Sequence, residues 1–117
     1  MLAINIGSKT KNTDKIPGVR DFSLTTRPIN DLLGKIEKRE KELLDSNTTP
    51  KLIICGAGCA GVELSFGFKN RWEKVFGTKI ETTLLTNVDK ILPGEKDALR
   101  ERMMSKLAKQ NITVEKN

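Results

Sequence analysis

The chain has 117 residues, 31% of them charged and 4% aromatic, the composition of an ordinary soluble protein with room for one domain at most. Its apolar runs are only a few residues long, which excludes a membrane span or a signal-peptide core. The formal charge of +6 does not read as a nucleic-acid surface: in Lys35-Ile36-Glu37-Lys38-Arg39-Glu40-Lys41-Glu42 the cations alternate with acids, as on a solvated helix face with pairs such as Glu37 and Lys41, and no stacking aromatics lie beside them.

In chain order, Leu2–Ile6 reads as a short strand ending at Gly7-Ser8. A polar loop over Lys9–Lys15 and a turn at Ile16-Pro17-Gly18 follow. Pro28 suits the first turn of a helix whose apolar positions, Ile29, Leu32, Leu33, Ile36, Leu43 and Leu44, fall on one stripe. The segment Ser46–Pro50 ends that helix and marks the sharpest composition break in the sequence. Beyond it the pattern is β-α-β-α-β. A strand over Leu52–Cys55 leads to a helix from about Cys59 to Phe76, closed by Gly77. A second strand spans Glu81–Thr86. A second helix after Pro93-Gly94 is expected to bury Leu99, Met103, Met104, Leu107 and Ala108, with Asn111 as a left-handed terminator before the strand Ile112–Glu115. The alternation predicts an α/β fold, a Rossmann-like βαβαβ half with a parallel sheet and right-handed crossovers, preceded by a strand-loop-helix segment. The strand Leu2–Ile6 has no partner in reach and nothing covers the far side of the strand Ile112–Glu115, so the chain reads as a segment of a larger protein or a truncated gene product.

The stretch Lys51–Leu64 carries the chemistry: an apolar strand runs straight into Gly56-x-Gly58-x-x-Gly61 and then a helix. The three glycines have separate tasks, a sharp turn at Gly56, close backbone approach to a pyrophosphate at Gly58, and tight helix-on-strand packing at Gly61. A phosphate would then meet free N–H groups at the positive end of the helix. The strand before and the helix after are the context this motif requires, and they point to a dinucleotide site. Cys55 and Cys59 flank the turn, and the chain has no histidine, which removes a zinc site and any Ser-His or Cys-His nucleophile. The cysteines read first as small residues fitting a crowded turn, with a redox pair as the sharper alternative. Reduced thiols without a secretory segment point to an intracellular protein, cytoplasmic in the first place, with a mitochondrial location open. Two glycosylation sequons, at Asn47 and Asn111, then read as coincidence.

An NAD site usually carries an acid at the end of the second strand, about twenty residues past the glycines, to hold the ribose 2′-hydroxyl. Thr86-Asn87 stands there instead, which leaves NAD against NADP open; Lys90 would favour a 2′-phosphate if it faced inward. Asp89, past the strand, reads as a loop residue. Glu63 has two readings, a first-turn acid favoured by the helix dipole or a carboxylate beside the nicotinamide end of the ligand. Phe66, Phe68, Trp72 and Phe76 read as packing residues.

Four features in order, Leu2-Ala-Ile-Asn-Ile-Gly7-Ser8, Ile16-Pro17-Gly18, Pro28-Ile29 with the helix to Leu44, and Gly56-Ala-Gly58-Cys-Ala-Gly61-Val-Glu63-Leu64 followed by Ile91-Leu92-Pro93, resemble the pyridine nucleotide-disulfide oxidoreductase family. Within it the chain is similar to type II NADH dehydrogenases, sulfide:quinone reductases and the flavoprotein module fused to selenide, water dikinase. The resemblance implies residues 1–26 as the C-terminal edge of an FAD-binding domain, 27–50 as connecting helix and linker, and 51–117 as an incomplete NAD(P)H-binding domain. It implies an FAD-dependent oxidoreductase that passes hydride from NAD(P)H to flavin and on to an unidentified acceptor, with this segment alone inactive. By the same resemblance Gly7 lies near FAD and Glu63 approaches the nicotinamide, while the motif itself puts Gly56, Ala57, Gly58, Cys59, Ala60 and Gly61 at the pyrophosphate and the end of the second strand puts Thr86 and Asn87 at the ribose. Asn5 and Thr86 depart from the family's usual residues. The alternatives are a methyltransferase, which would want an acid after the second strand, and a non-catalytic nucleotide-binding remnant or interaction module.

Overall fold

The computed structural model describes residues 14–116. The expected strand Leu2–Ile6, with Gly7, lies outside the described residues. The chain divides into two compact units, Met1–Asn47 and Thr48–Asn117.

In the first unit the Ile16 carbonyl accepts from the Val19 N–H at 3.2 Å. Pro17 precedes Gly18 at φ 81°, ψ −15°, so the expected turn is of type II, with glycine where a side chain would be strained. A one-turn helix not foreseen from the sequence, α1 (Val19–Phe22), follows it. The helix α2 spans Ile29–Asp45, with Pro28 at its N-cap rather than inside it. Its apolar stripe is narrower than expected. Leu32 and Ile36 are buried, together with Glu40, while Ile29, Leu33 and Leu44 are exposed. Asn47 stops the helix at φ 48°, a left-handed conformation that asparagine tolerates better than most residues.

The second unit is the βαβαβ half. It runs β1 (Leu52–Cys55), α3 (Cys59–Phe76), β2 (Thr82–Thr86), α4 (Asp97–Lys109) and β3 (Ile112–Lys116). The strands form a parallel sheet in the order β1-β2-β3, with Leu52 opposite Thr82 and Thr82 opposite Ile112. Both crossovers step the same way across the sheet, so right-handed connections place both helices on one face. The core follows from that. Val62 and Phe66 of α3 and Met103 and Leu107 of α4 pack over Ile54, Leu84, Ile112 and Val114 of the strands. Ile53 and Cys55 alternate to the other face and are exposed, so this apolar strand is covered on one side only. The same one-sidedness leaves Leu99, Met104 and Ala108 of α4 exposed, where burial was expected. The aromatic residues of α3 pack as expected: Trp72 is buried and meets Phe68 and Phe76 edge to face, with ring centroids 6.4 and 5.8 Å away.

At the end of α3 remote from the glycines, a buried lysine fastens the helix to the start of β2. Lys69 Nζ donates to the Ile80 carbonyl at 2.7 Å and lies 2.8 Å from Glu73 Oε1. That carboxylate in turn accepts from the Ile80 N–H at 3.3 Å, and Thr82 Oγ1 donates to the Ile80 carbonyl at 3.0 Å. The Lys69 hydrogen bond, helped by the Ile80 N–H and opposed by desolvation, holds the Glu73 carboxyl below its ordinary range. A folded value below the unfolded one means stability that is present above about pH 4.3, the ordinary glutamate value, and is lost as pH falls through the lowered folded value. Glu73→Gln should therefore lower the melting temperature at pH 7 and the gap to wild type should close on acidification from about pH 5 to pH 3. A gap independent of pH would show that the carboxylate charge contributes nothing.

Candidate functional site

The site begins where β1 ends. Cys55 is the last strand residue, and Gly56 turns the chain at φ 108°, a conformation that only glycine adopts without strain. The Gly56 N–H still donates to the Leu85 carbonyl of β2 at 2.9 Å, so the turn starts inside the sheet. Ala57 is buried in the core. Gly58 is the N-cap of α3, and its carbonyl accepts the first helical bond from the Val62 N–H at 3.0 Å. By helix geometry the N–H groups of Cys59, Ala60 and Gly61 precede that bond and point out of the helix end. All three belong to the first turn of a helix 18 residues long.

The three glycines differ in what surrounds them. A Cβ on Gly61 would lie 1.7 Å from the Gly56 carbonyl oxygen and 2.9 Å from its carbon, an approach no side chain permits. A Cβ on Gly58 would meet nothing within 4 Å. The fold therefore requires glycine at Gly61, whereas at Gly58 there is an open cradle beside free N–H groups. A pyrophosphate fits such a cradle: it needs close backbone approach, hydrogen-bond donors and the positive end of a helix. Cys59 and Ala60 are exposed on the rim, as is Cys55. The crowding expected at the cysteines lies instead between Gly61 and Gly56.

A loop after β2 roofs the turn. Ile91 and Leu92 are buried, and the Leu92 N–H donates to the Ala57 carbonyl at 2.7 Å. To reach it, Leu92 adopts φ 51°, a conformation that costs a bulky L-residue about 1–2 kcal/mol. Pro93 and Gly94, the latter at φ 93°, then close a turn in which the Glu95 N–H donates to the Leu92 carbonyl at 3.1 Å. The Ile91-Leu92-Pro93 sequence thus has a physical task, to seal the inner side of the glycine turn.

The remaining candidates divide. Thr86 and Asn87 stand at the C-terminal end of β2, the edge of the sheet to which the glycine turn also belongs. Thr86 is buried and its Oγ1 lies 3.2 Å from both the N–H and the carbonyl oxygen of Val88, so it accepts from the one and donates to the other. Asn87 is exposed. Glu63 is the fifth residue of α3, beyond its first turn, which removes the dipole argument for a first-turn acid. It is exposed and lines a groove of about 540 Å³ between α3 and α4 with Val62, Phe66, Met103 and Lys106. Sequence reasoning missed Lys116 of β3, which stands in register with Thr86 and whose amine reaches Asp89. Only strand pairing brings that residue beside Thr86.

The family model described as pyridine nucleotide-disulphide oxidoreductase matches residues 1–117. A search of curated proteins finds no match. Among the described residues no helix is long and apolar enough to cross a membrane.

The contrast between the glycines is measurable. Gly61→Ala should destabilise the fold by roughly 3 kcal/mol or more, because backbone lies on both sides of the clash. Gly58→Ala should stay within about 1 kcal/mol of wild type. Urea midpoints that fall equally for the two variants would overturn the close approach of Gly61 to Gly56.

Proposed function

Because the chain belongs to the pyridine nucleotide-disulphide oxidoreductase family, an oxidoreductase family that generally binds FAD and pyridine nucleotides, we propose that residues 51–117 form the NAD(P)H-binding part of an FAD-dependent oxidoreductase. In this reading residues 1–26 belong to the FAD-binding side and 27–50 connect the two. The observation that carries it is the open cradle at Gly58 beside the first turn of α3. Backbone N–H groups of Cys59, Ala60 and Gly61 hold the pyrophosphate, and Gly56 and Ala57 shape the turn that aims them. Thr86 and Asn87 border the adenosine ribose. Glu63, by the resemblance, faces the nicotinamide end, and Gly7 the flavin. Bound NAD(P)H supplies a hydride for flavin, and the residues of this chain bind and orient it. The likeness to type II NADH dehydrogenases and sulfide:quinone reductases makes a quinone or a sulfur compound the favoured class of final acceptor.

The direct test is dinucleotide binding to the whole chain by calorimetry, with Gly58→Val as the control. Wild type should bind NADH or NADPH, and the variant should lose at least about tenfold in affinity while remaining folded, its melting temperature lowered by only several degrees for the poorer N-cap, since its side chain enters space the fold leaves free. A variant that bound as tightly as wild type would remove the glycine turn from the site.

A further inference from the structure

The end of the second strand is where a dinucleotide fold distinguishes a free ribose 2′-hydroxyl from a 2′-phosphate: an acid there holds the first and repels the second, while a nearby cation accepts the second. β2 ends here without a carboxylate, in Thr86 followed by Asn87. The Thr86 hydroxyl is already engaged with both backbone groups of Val88, so it is a poor clamp for a ribose diol.

Two lysines, each paired with an acid, stand at the same edge. Lys116 ends β3 in register with Thr86 and pairs with Asp89. Lys90, four residues past the strand, places Nζ 3.3 Å from Asp97 Oδ1. Asp97 is also held by Arg100, at 3.1 Å, and sits in the first turn of α4, where the helix dipole favours it. It therefore keeps partners if Lys90 turns away. The Lys90 and Lys116 pairs are both largely exposed, with the lysine side chains 66% and 60% accessible, and ion pairs of that kind contribute little. An ammonium carries three donors, so either amine can take a phosphate oxygen while it keeps its carboxylate.

We infer that the dinucleotide taken by this chain carries a 2′-phosphate, so that NADPH is preferred over NADH, with Lys90 and Lys116 as the phosphate partners. The inference rests on reading the Gly56–Gly61 turn as a dinucleotide site. Of the two acids in the loop, Asp89 lies beyond the strand end with its carboxylate turned to Lys116 on β3, and Glu95 follows only after the Pro93-Gly94 turn, nine residues past Thr86.

Calorimetric titration of the full chain with NADPH, NADH, adenosine 2′,5′-bisphosphate and 5′-AMP tests this. NADPH should bind at least about tenfold more tightly than NADH, the bisphosphate should outbind 5′-AMP by a similar factor, and both advantages should shrink with added salt. The double variant Lys90→Ala/Lys116→Ala should lose the advantage and keep its NADH affinity. Thr86→Glu should reverse the preference. If that buried substitution unfolds the chain, Asn87→Glu brings the same charge to an exposed neighbouring position and should lower the ratio of NADPH to NADH affinity. Equal affinities, a preference for NADH, or an undiminished preference in the double lysine variant would each overturn the inference while leaving the dinucleotide site standing. Failure of wild type to bind either dinucleotide would remove the site itself, and the inference with it.

Discussion

The contact on which the rest depends is that of Gly61 with the Gly56 carbonyl. With a Cβ only 1.7 Å from that oxygen, nothing larger than glycine lets the first turn of α3 lie against the strand-end turn. Close packing there sets the height and direction of the helix. It puts Val62 into the core over Leu84 and aims the free N–H groups along the C-terminal edge of the sheet. Had the helix stood off by the radius of a methyl group, the Val62 contact and the cradle at Gly58 would both have shifted. One steric requirement thus serves stability and binding geometry together.

Two further devices keep α3 in that place, one at each end. Near the glycines, Leu92 accepts a left-handed backbone so that its N–H can satisfy the Ala57 carbonyl while its side chain fills the core. At the far end, Lys69 and Glu73 bracket the Ile80 backbone and fix where β2 starts relative to the helix. The buried ammonium there is acceptable because a carboxylate and a carbonyl surround it. Between the two, the apolar contacts need no special geometry.

Much of this was legible in the sequence, for definite reasons. The alternation of short apolar runs with helical periodicity gave β1, α3, β2, α4 and β3 to within a residue or two, because Gly77 and Asn111 punctuate them and take the left-handed conformations expected there. The glycine turn was legible because its spacing encodes a steric need. Exposure was less so. Leu-Ile-Ile-Cys reads as a buried strand, yet with both helices on one face only alternate residues are covered, and Ile53 and Cys55 are left out. The same layering explains Leu99 and Met104. The short α1 follows a turn whose type, not its residues alone, sets the next φ and ψ values. Lys116 could not be read at all, since its place beside Thr86 comes from a pairing across 30 residues of sequence.

The sealing of the glycine turn has an electrostatic consequence. Two of its carbonyls are taken up by hydrogen bonds, Ala57 by the Leu92 N–H and Gly58 by the Val62 N–H, and that of Gly56 lies close against Gly61. What the backbone of the first turn presents at the mouth is a set of N–H donors. Such a surface accepts anions and offers nothing to an ammonium or guanidinium group. In a chain with 21 lysines and arginines, many on exposed helix faces, that polarity has a particular value. The backbone of the turn thus favours a phosphate over the basic side chains in which the chain is rich.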